Sequence, residues 1–157
     1  MSSLRKLRGP RFVVRRSSIH GNGVFARKPI KKGEPIIEYK GLVITEKAAD
    51  RRYPDHDETK PYHTFLFLVE GAMVIDGNRD GNSARWINHG CNPNCESSED
   101  EKGRVFIEAI RTIKPGDELT YDYNIVLDSP HNAANRKRFF CGCGSSKCRG
   151  TMLGKRR

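Results

Sequence analysis

The chain has 157 residues, 36% of them apolar and 31% charged, with a formal net charge of +10. That length suits one compact domain able to bury a core without disulfide support. No stretch approaches the ~20 apolar residues of a membrane span, and the basic start from Met1 to Arg8 has no apolar run behind it, so neither an anchor nor a secretory leader is expected. The expected setting is therefore intracellular and reducing. The elements then follow in chain order as short strands between Gly/Pro turns: Phe12–Arg15, Val24–Ala26, Pro35–Tyr39, Phe65–Glu70, Ala72–Ile75, Val105–Ile110 and Glu118–Tyr123, all rich in Val, Ile, Phe and Tyr. Gly71 reads as a hairpin turn. Lys114-Pro115-Gly116-Asp117 carries type II turn chemistry, which Lys31-Lys32-Gly33-Glu34 echoes. Helix is scarce: Thr45–Tyr53 has a Thr cap and stops at Pro54, and Asn82 caps a short piece reaching Asn88. The fold class is mainly β. The organisation is a basic N-terminal tail over 1–10, a β domain over 11–126, and a polar linker with a small metal module over 127–157.

Five cysteines, Cys91, Cys95, Cys141, Cys143 and Cys148, are an odd number for a disulfide framework. The last three spell C-x-C-x4-C, and Gly142 and Gly144 allow the chain to wrap tightly. Thiolates at such spacing point to a zinc ion, which takes four ligands; Cys91, Cys95 or a histidine supplies the fourth. Basic residues gather at both ends, Arg5, Lys6, Arg8, Arg11, Arg15 and Arg16 in front and Arg136, Lys137, Arg138, Lys147, Arg149, Lys155, Arg156 and Arg157 behind. They suit non-specific contact with DNA or another polyanion, or equally a solvated surface. Two acidic groups, Asp55-Asp57-Glu58 and Glu96-Glu99-Asp100-Glu101, read as solvated loops, or as faces for a basic peptide.

Other segments carry weaker signals singly. Ile19-His20-Gly21-Asn22-Gly23 lets backbone approach a ligand closely but lacks the third glycine of a dinucleotide fingerprint. Asn88-His89 sets strong hydrogen-bonding groups beside Trp86 and Ile87. Tyr121 and Tyr123 alternate onto one face of a strand.

Taken in order, these motifs are specific. S-x-x-H-G-x-G-V-F-A from Ser17, E-Y-x-G from Glu38, A-R-W-I-N-H-G-C-x-P-N-C from Ala84, G-D-E-L-T-Y-D-Y from Gly116 and C-x-C-x4-C-R-G from Cys141 together resemble the SET-domain protein lysine methyltransferases with a post-SET zinc segment. The resemblance runs from about Arg11 to Leu153. It implies a β-clip-like SET fold of several small sheets, in which the segments of Asn88-His89 and Tyr121-Asp122-Tyr123 meet at a pseudoknot-like crossing. It further implies that Ile19, His20, Gly21, Asn22, Gly23, Asn88 and His89 bind S-adenosylmethionine, and that Tyr123 is catalytic. Tyr121 then tunes the number of methyl groups, favouring mono- or dimethylation. By the same resemblance Cys91 joins Cys141, Cys143 and Cys148 on a structural Zn²⁺, and Cys95 stays free. The implied partner is a basic, histone-like chromatin protein bearing the target lysine. The place is the nucleus in a eukaryote, or the cytoplasm or a host cell in the case of a bacterium. Two alternatives stand beside this: a catalytically idle SET module acting as a zinc-stabilised scaffold, and a basic zinc-containing nucleic-acid binder, although the paired spacing of zinc fingers is lacking. The chain departs from the family at two places, with Phe65 where the family often has a tyrosine lining the lysine channel and Thr151 where many members have an aromatic; both put substrate fit and the number of methyl groups in question, and Gly90, in place of a common serine, is expected to matter little.

Overall fold

A computed structural model describes residues 10–53, 65–126 and 130–154. The acidic group at Asp55-Asp57-Glu58, the tail residues before Pro10 and the final Lys155-Arg156-Arg157 lie outside the described residues. Strands β1 (Phe12–Arg16) and β2 (Asn22–Ala26) pair antiparallel, Phe12 opposite Ala26 and Arg16 opposite Asn22. β3 (Pro35–Glu38) and β4 (Leu42–Thr45) follow, then helix α1 (Glu46–Arg52). Thr45 caps α1 by accepting from the Ala48 N–H, and Arg51 and Arg52 suit its carbonyl end. β5 (Leu66–Val69) and β6 (Met73–Asp76) form the hairpin expected around Gly71, which takes φ +78°. β4 and β5 flank β6 in a three-stranded sheet.

The second sheet positions the site. Its order is β3, β9 (Val105–Ala109), β8 (Cys95–Glu99), β10 (Thr120–Tyr121), β7 (Asn88–His89). β7 and β8 are consecutive in the chain, yet β10 lies between them, parallel to both. The segment from 88 to 95 therefore wraps around the segment from 118 to 121, which is the expected crossing. Asn94 holds it as a stretch of backbone would: its Nδ2 donates to the Glu118 carbonyl at 2.9 Å and its Oδ1 accepts the Thr120 N–H at 2.9 Å.

The core includes Val24, Ile30, Ile75, Ile87, Val105, Ile107, Ile113, Leu119 and Tyr121. Burial alternates along β9, as a half-covered strand requires. The two Lys-x-Gly turns behave alike: Gly33 at +89° and Gly116 at +92°, each closed by a backbone bond from the fourth residue to the first.

Some boundaries differ from the sequence reading. Glu118–Tyr123 is not one strand, because Glu118 makes an isolated bridge to Phe25 and only Thr120–Tyr121 joins the sheet. Asn82–Ile87 forms one 3₁₀ turn, Ser83–Trp86, too short for an α-helix. β8, whose Glu96-Ser97-Ser98-Glu99 run is exposed and polar, has no apolar alternation to announce it. Part of the expected linker is helix α2 (Ala133–Arg138), capped by Asn132. Beyond it the tail folds back: Leu153 bridges Ile125 and Phe140 bridges Thr151, while Phe139, Thr151 and Leu153 are buried.

Candidate functional site

The loop between β1 and β2 is drawn tight by its own groups. Ser17 N–H donates to the Gly21 carbonyl at 2.7 Å, and Ile19 N–H donates to Ser17 Oγ at 3.0 Å. Gly21 sits at φ +45°, a conformation costly for other residues. Gly23 serves the loop's packing: a Cβ there would stand 2.5 Å from Glu118 Oε2. Asn88, buried on β7, fixes this loop from below. Its Nδ2 lies 3.1 Å from the His20 carbonyl, 3.0 Å from the Asn22 carbonyl and 2.9 Å from Glu118 Oε2. The Glu118 carboxylate also accepts from Ser17 Oγ at 2.8 Å. The result is a cavity lined by His20, Gly21, Asn22, Phe65, Arg85, Trp86 and Asn88. Arg85 brings a cation to its wall; the guanidinium stacks 4.8 Å from the Trp86 ring, donates to the Gly77 carbonyl, and has a buried Nε with no hydrogen-bond partner among the described residues. Ile19, Gly23 and His89 are not among the residues that line it.

His89 and the two tyrosines meet on the other side of the crossing. His89 Nδ1 accepts the Tyr123 N–H at 3.0 Å, and the two rings meet edge to face with centroids 5.3 Å apart. Burial depresses the imidazole to about 4, with Asp122 pulling upward and Arg149 reinforcing the drop, so His89 is neutral at pH 7. Tyr121 and Tyr123 lie 4.8 Å apart, Phe67 packs 6.3 Å from Tyr121, and Tyr39 packs 5.2 Å from Phe67. This is a continuous aromatic wall. The Tyr123 hydroxyl donates to the Ile87 carbonyl. Burial is the main cause that raises Tyr123 well above the usual tyrosine value, with Tyr39 and Glu118 adding to it; Tyr121 is raised by burial and by Tyr123 and Tyr39. Both phenols stay protonated near neutrality.

Of the two cysteines open as a fourth ligand, the fold brings Cys91 beside the three tail cysteines. The Sγ atoms of Cys91, Cys141, Cys143 and Cys148 all lie within 4.8 Å of one another. Cys91 is 3.7 Å from Cys141 and 3.9 Å from Cys148. Sulfurs at ~2.3 Å around Zn²⁺ stand ~3.8 Å apart at tetrahedral corners, so the donor set fits that ion. Backbone N–H groups of Cys143, Arg149 and Gly150 point at Cys141, Cys91 and Cys148 respectively, at 3.3–3.4 Å, which suits thiolate charge. Cys95 lies elsewhere, buried on β8 with its thiol pushed up to about 12 by burial, and behaves as a small apolar residue.

Several residues of this region were missed in the sequence. Tyr39 and Phe67 join the aromatic wall only because β3 and β5 converge on β10; the E-Y-x-G motif held the one clue. Phe65 turns to Trp86 and the cavity, ring centroids 5.0 Å apart, while its neighbour Phe67 faces Tyr121. Thr151 is buried and donates to the Phe139 carbonyl at 3.1 Å, so it fastens the tail internally. Gly90 is not indifferent: a Cβ there would stand 2.8 Å from Thr120 Cβ.

The glycine loop, the crossing and the aromatic wall define a SET domain, and the family model for that domain matches residues 21–124. The chain belongs to the SET-domain family. It is 39% identical over 140 residues to human histone-lysine N-methyltransferase 2B, covering 87% of this chain and 5% of that protein. It is 41% identical over 138 residues to histone-lysine N-methyltransferase ash1 of Drosophila melanogaster, 86% of this chain and 6% of the relative. A Candida albicans histone-lysine N-methyltransferase, H3 lysine-4 specific, is 35% identical across 97% of this chain and 14% of its own length. Thus the chain spans a small fraction of these relatives. Among solved structures, ctPRC2 in an autoinhibited conformation bound to S-adenosylmethionine superposes with a TM-score of 0.66 at 29% identity, over 77% of this chain and 16% of that one. The Chaetomium thermophilum polycomb repressive complex 2 gives 0.68 at 28%, over 80% and 17%. No helix among the described residues is long and apolar enough to cross a membrane.

Proposed function

We propose that this protein is a protein-lysine N-methyltransferase that uses S-adenosylmethionine and acts on a histone or histone-like chromatin protein, and hence at chromatin. The observation that carries the reading is that consecutive residues of β7 join the two parts of the site: Asn88 bonds the glycine loop, and His89 accepts the N–H of Tyr123, whose ring packs on Tyr121. A methyltransferase needs a donor site and an acceptor channel next to each other. The relatives' names and the S-adenosylmethionine-bound neighbour support the same assignment.

When bound, S-adenosylmethionine would supply a methyl group from its sulfonium: the neutral lysine amine would attack the methyl carbon in line, the S–CH3 bond would break to release neutral S-adenosylhomocysteine, and the methylated ammonium would shed its extra proton to water. The loop of Ile19, His20, Gly21, Asn22 and Gly23, with Asn88 and His89 behind it, would hold that molecule. Arg85 on the cavity wall offers the positive charge its carboxylate needs. Tyr121, Tyr123, Tyr39 and Phe67 would line the lysine channel. A lysine has a pKa of ~10.4 in water, so its amine is almost wholly charged at pH 7; apolar rings desolvate it and favour the neutral, attacking form. Tyr123, protonated and oriented by Ile87, is suited to place polarity near the reacting methyl and unsuited to remove a proton. Positioning can supply roughly 7–11 kcal/mol of the barrier. The Tyr121 hydroxyl takes up channel space, which favours mono- or dimethylation. Cys91, Cys141, Cys143 and Cys148 would hold a structural Zn²⁺ that orders the tail against the loop, where Gly142 approaches the Ile19 carbonyl. The exposed Arg136 and Lys137 of α2, with the chain ends, would favour loose DNA contact that weakens with salt.

The test is mass spectrometry of purified protein with S-adenosylmethionine and a panel of histones and other basic proteins, Tyr123→Phe as control. Single-methyl mass steps on lysine, lost in the variant, support the proposal. No mass gain together with no calorimetric binding of S-adenosylmethionine would overturn it in favour of an idle scaffold.

A further inference from the structure

A continuous set of polar contacts joins the cysteine cluster to Tyr123. His89 lies between them: Nδ1 accepts the Tyr123 N–H at 3.0 Å, and Nε2 stands 3.3 Å from Cys91 Sγ. Since Nδ1 accepts, the ring proton belongs on Nε2, where it points at the sulfur. A second route runs through Arg149, the residue after Cys148. Its N–H donates to Cys91 Sγ at 3.4 Å. Its guanidinium grips Asp122 with both arms, at 2.7 and 3.1 Å, and donates a third bond to the Leu153 carbonyl at 3.3 Å. Asp122 is the neighbour of Tyr123, lies 3.7 Å from His89 Nδ1, and accepts the Asn124 N–H at 2.8 Å. The Tyr123 backbone is therefore fixed from two directions, both ending on Cys91.

An isolated surface ion pair would contribute little. This one is bidentate, both partners keep only about a third of their side-chain surface (31% and 34%), and its fork is locked by the third bond. We propose that His89, Asp122 and Arg149 are positioning residues: they transmit the order of the cysteine cluster to Tyr123 and so align its ring with the reacting groups. The catalytic meaning rests on the methyltransferase reading; the physical coupling does not.

The experiment is residue-resolved amide hydrogen exchange by NMR on the zinc-loaded protein, comparing wild type with Arg149→Lys, Asp122→Asn and the double variant. Zinc content is measured on each sample. Arg149→Lys keeps the charge and loses the fork, so it disturbs the fold least. The expected result is one zinc per chain throughout, at least roughly tenfold faster exchange at the Tyr123 amide in each single variant, and no further loss in the double, as for residues acting as one unit. In the methyl-transfer assay kcat falls while KM for S-adenosylmethionine stays within about twofold. Exchange at Tyr123 within twofold of wild type in both zinc-loaded single variants would overturn the coupling. Loss of zinc from Arg149→Lys would overturn it too, because the arginine would then serve the cluster alone. A wild-type protein that methylates nothing sinks the functional proposal and leaves the exchange result to judge the coupling.

Discussion

Asn88→Ala removes a side chain that fastens the glycine loop to the crossing at two carbonyls. Two N–H protons on Nδ2 are shared among the His20 carbonyl, the Asn22 carbonyl and Glu118 Oε2, at 3.1, 3.0 and 2.9 Å. Only 5% of Asn88 is exposed, so the acceptors lose their donor in a largely dry place. An orphaned buried partner costs about 1–3 kcal/mol. The cavity admits water to His20 and Asn22, and Glu118 retains Ser17, so the lower part of the range applies to each of two bonds, or about 2–4 kcal/mol together. For a domain of this size that is a fall in Tm of about 4–16 °C. Thermal unfolding followed by circular dichroism, with zinc in constant excess, measures it. S-adenosylmethionine binding by calorimetry should weaken at least about tenfold, because the loop is no longer held in its binding form. Asn88→Asp should be worse, since it sets a second carboxylate against Glu118. A Tm within 2 °C of wild type and unchanged binding for Asn88→Ala would refute the claim that this amide organises the loop.

Three further outcomes are expected. Cys148→Ser or Cys91→Ser abolishes stoichiometric zinc in purified protein, whereas Cys95→Ala keeps one ion per chain; elemental analysis decides, and zinc loss on changing Cys95 would contradict the cluster. Gly90→Ser destabilises by about 1–3 kcal/mol in urea unfolding, because its Cβ at 2.8 Å forces Thr120 and β10 to shift; a neutral result would mean the crossing yields more easily than its packing suggests. Burial alone would raise the Asp76 carboxyl, but hydrogen bonds from Tyr53, Asn78 and Arg52 outweigh it and hold it below the usual carboxylate range. The folded state thus favours the ion, and the stabilisation is full above the unfolded value of ~3.9 and fades as pH falls through the lower folded one. Wild type should therefore lose more stability than Asp76→Asn between pH 6 and pH 3, and parallel urea-midpoint curves would count against the assignment.

Local chemistry was legible in the sequence. The C-x-C-x4-C spacing, the Pro-Gly turn at Lys114–Asp117, the Thr45 cap and the β-rich character each follow from a few adjacent residues, and physics acting within a few residues decides them. The ordered motifs carried the family as well, although the glycine, Asn-His and tyrosine motifs each had an ordinary structural explanation when taken alone. What neighbours in sequence cannot state is which distant segments meet. Asn94 looks like any polar residue after proline until the crossing gives it two backbone partners on a distant segment. Tyr39 and Phe67 are core aromatics until β10 arrives beside them. Cys91 and Cys95 are equivalent thiols on paper. A four-residue offset turns one toward the tail's sulfurs and folds the other into a strand, because β8 begins at Cys95, the one residue of that strand that is buried in the core. The packing of β10 between β7 and β8 made those choices, through contacts that span the length of the chain.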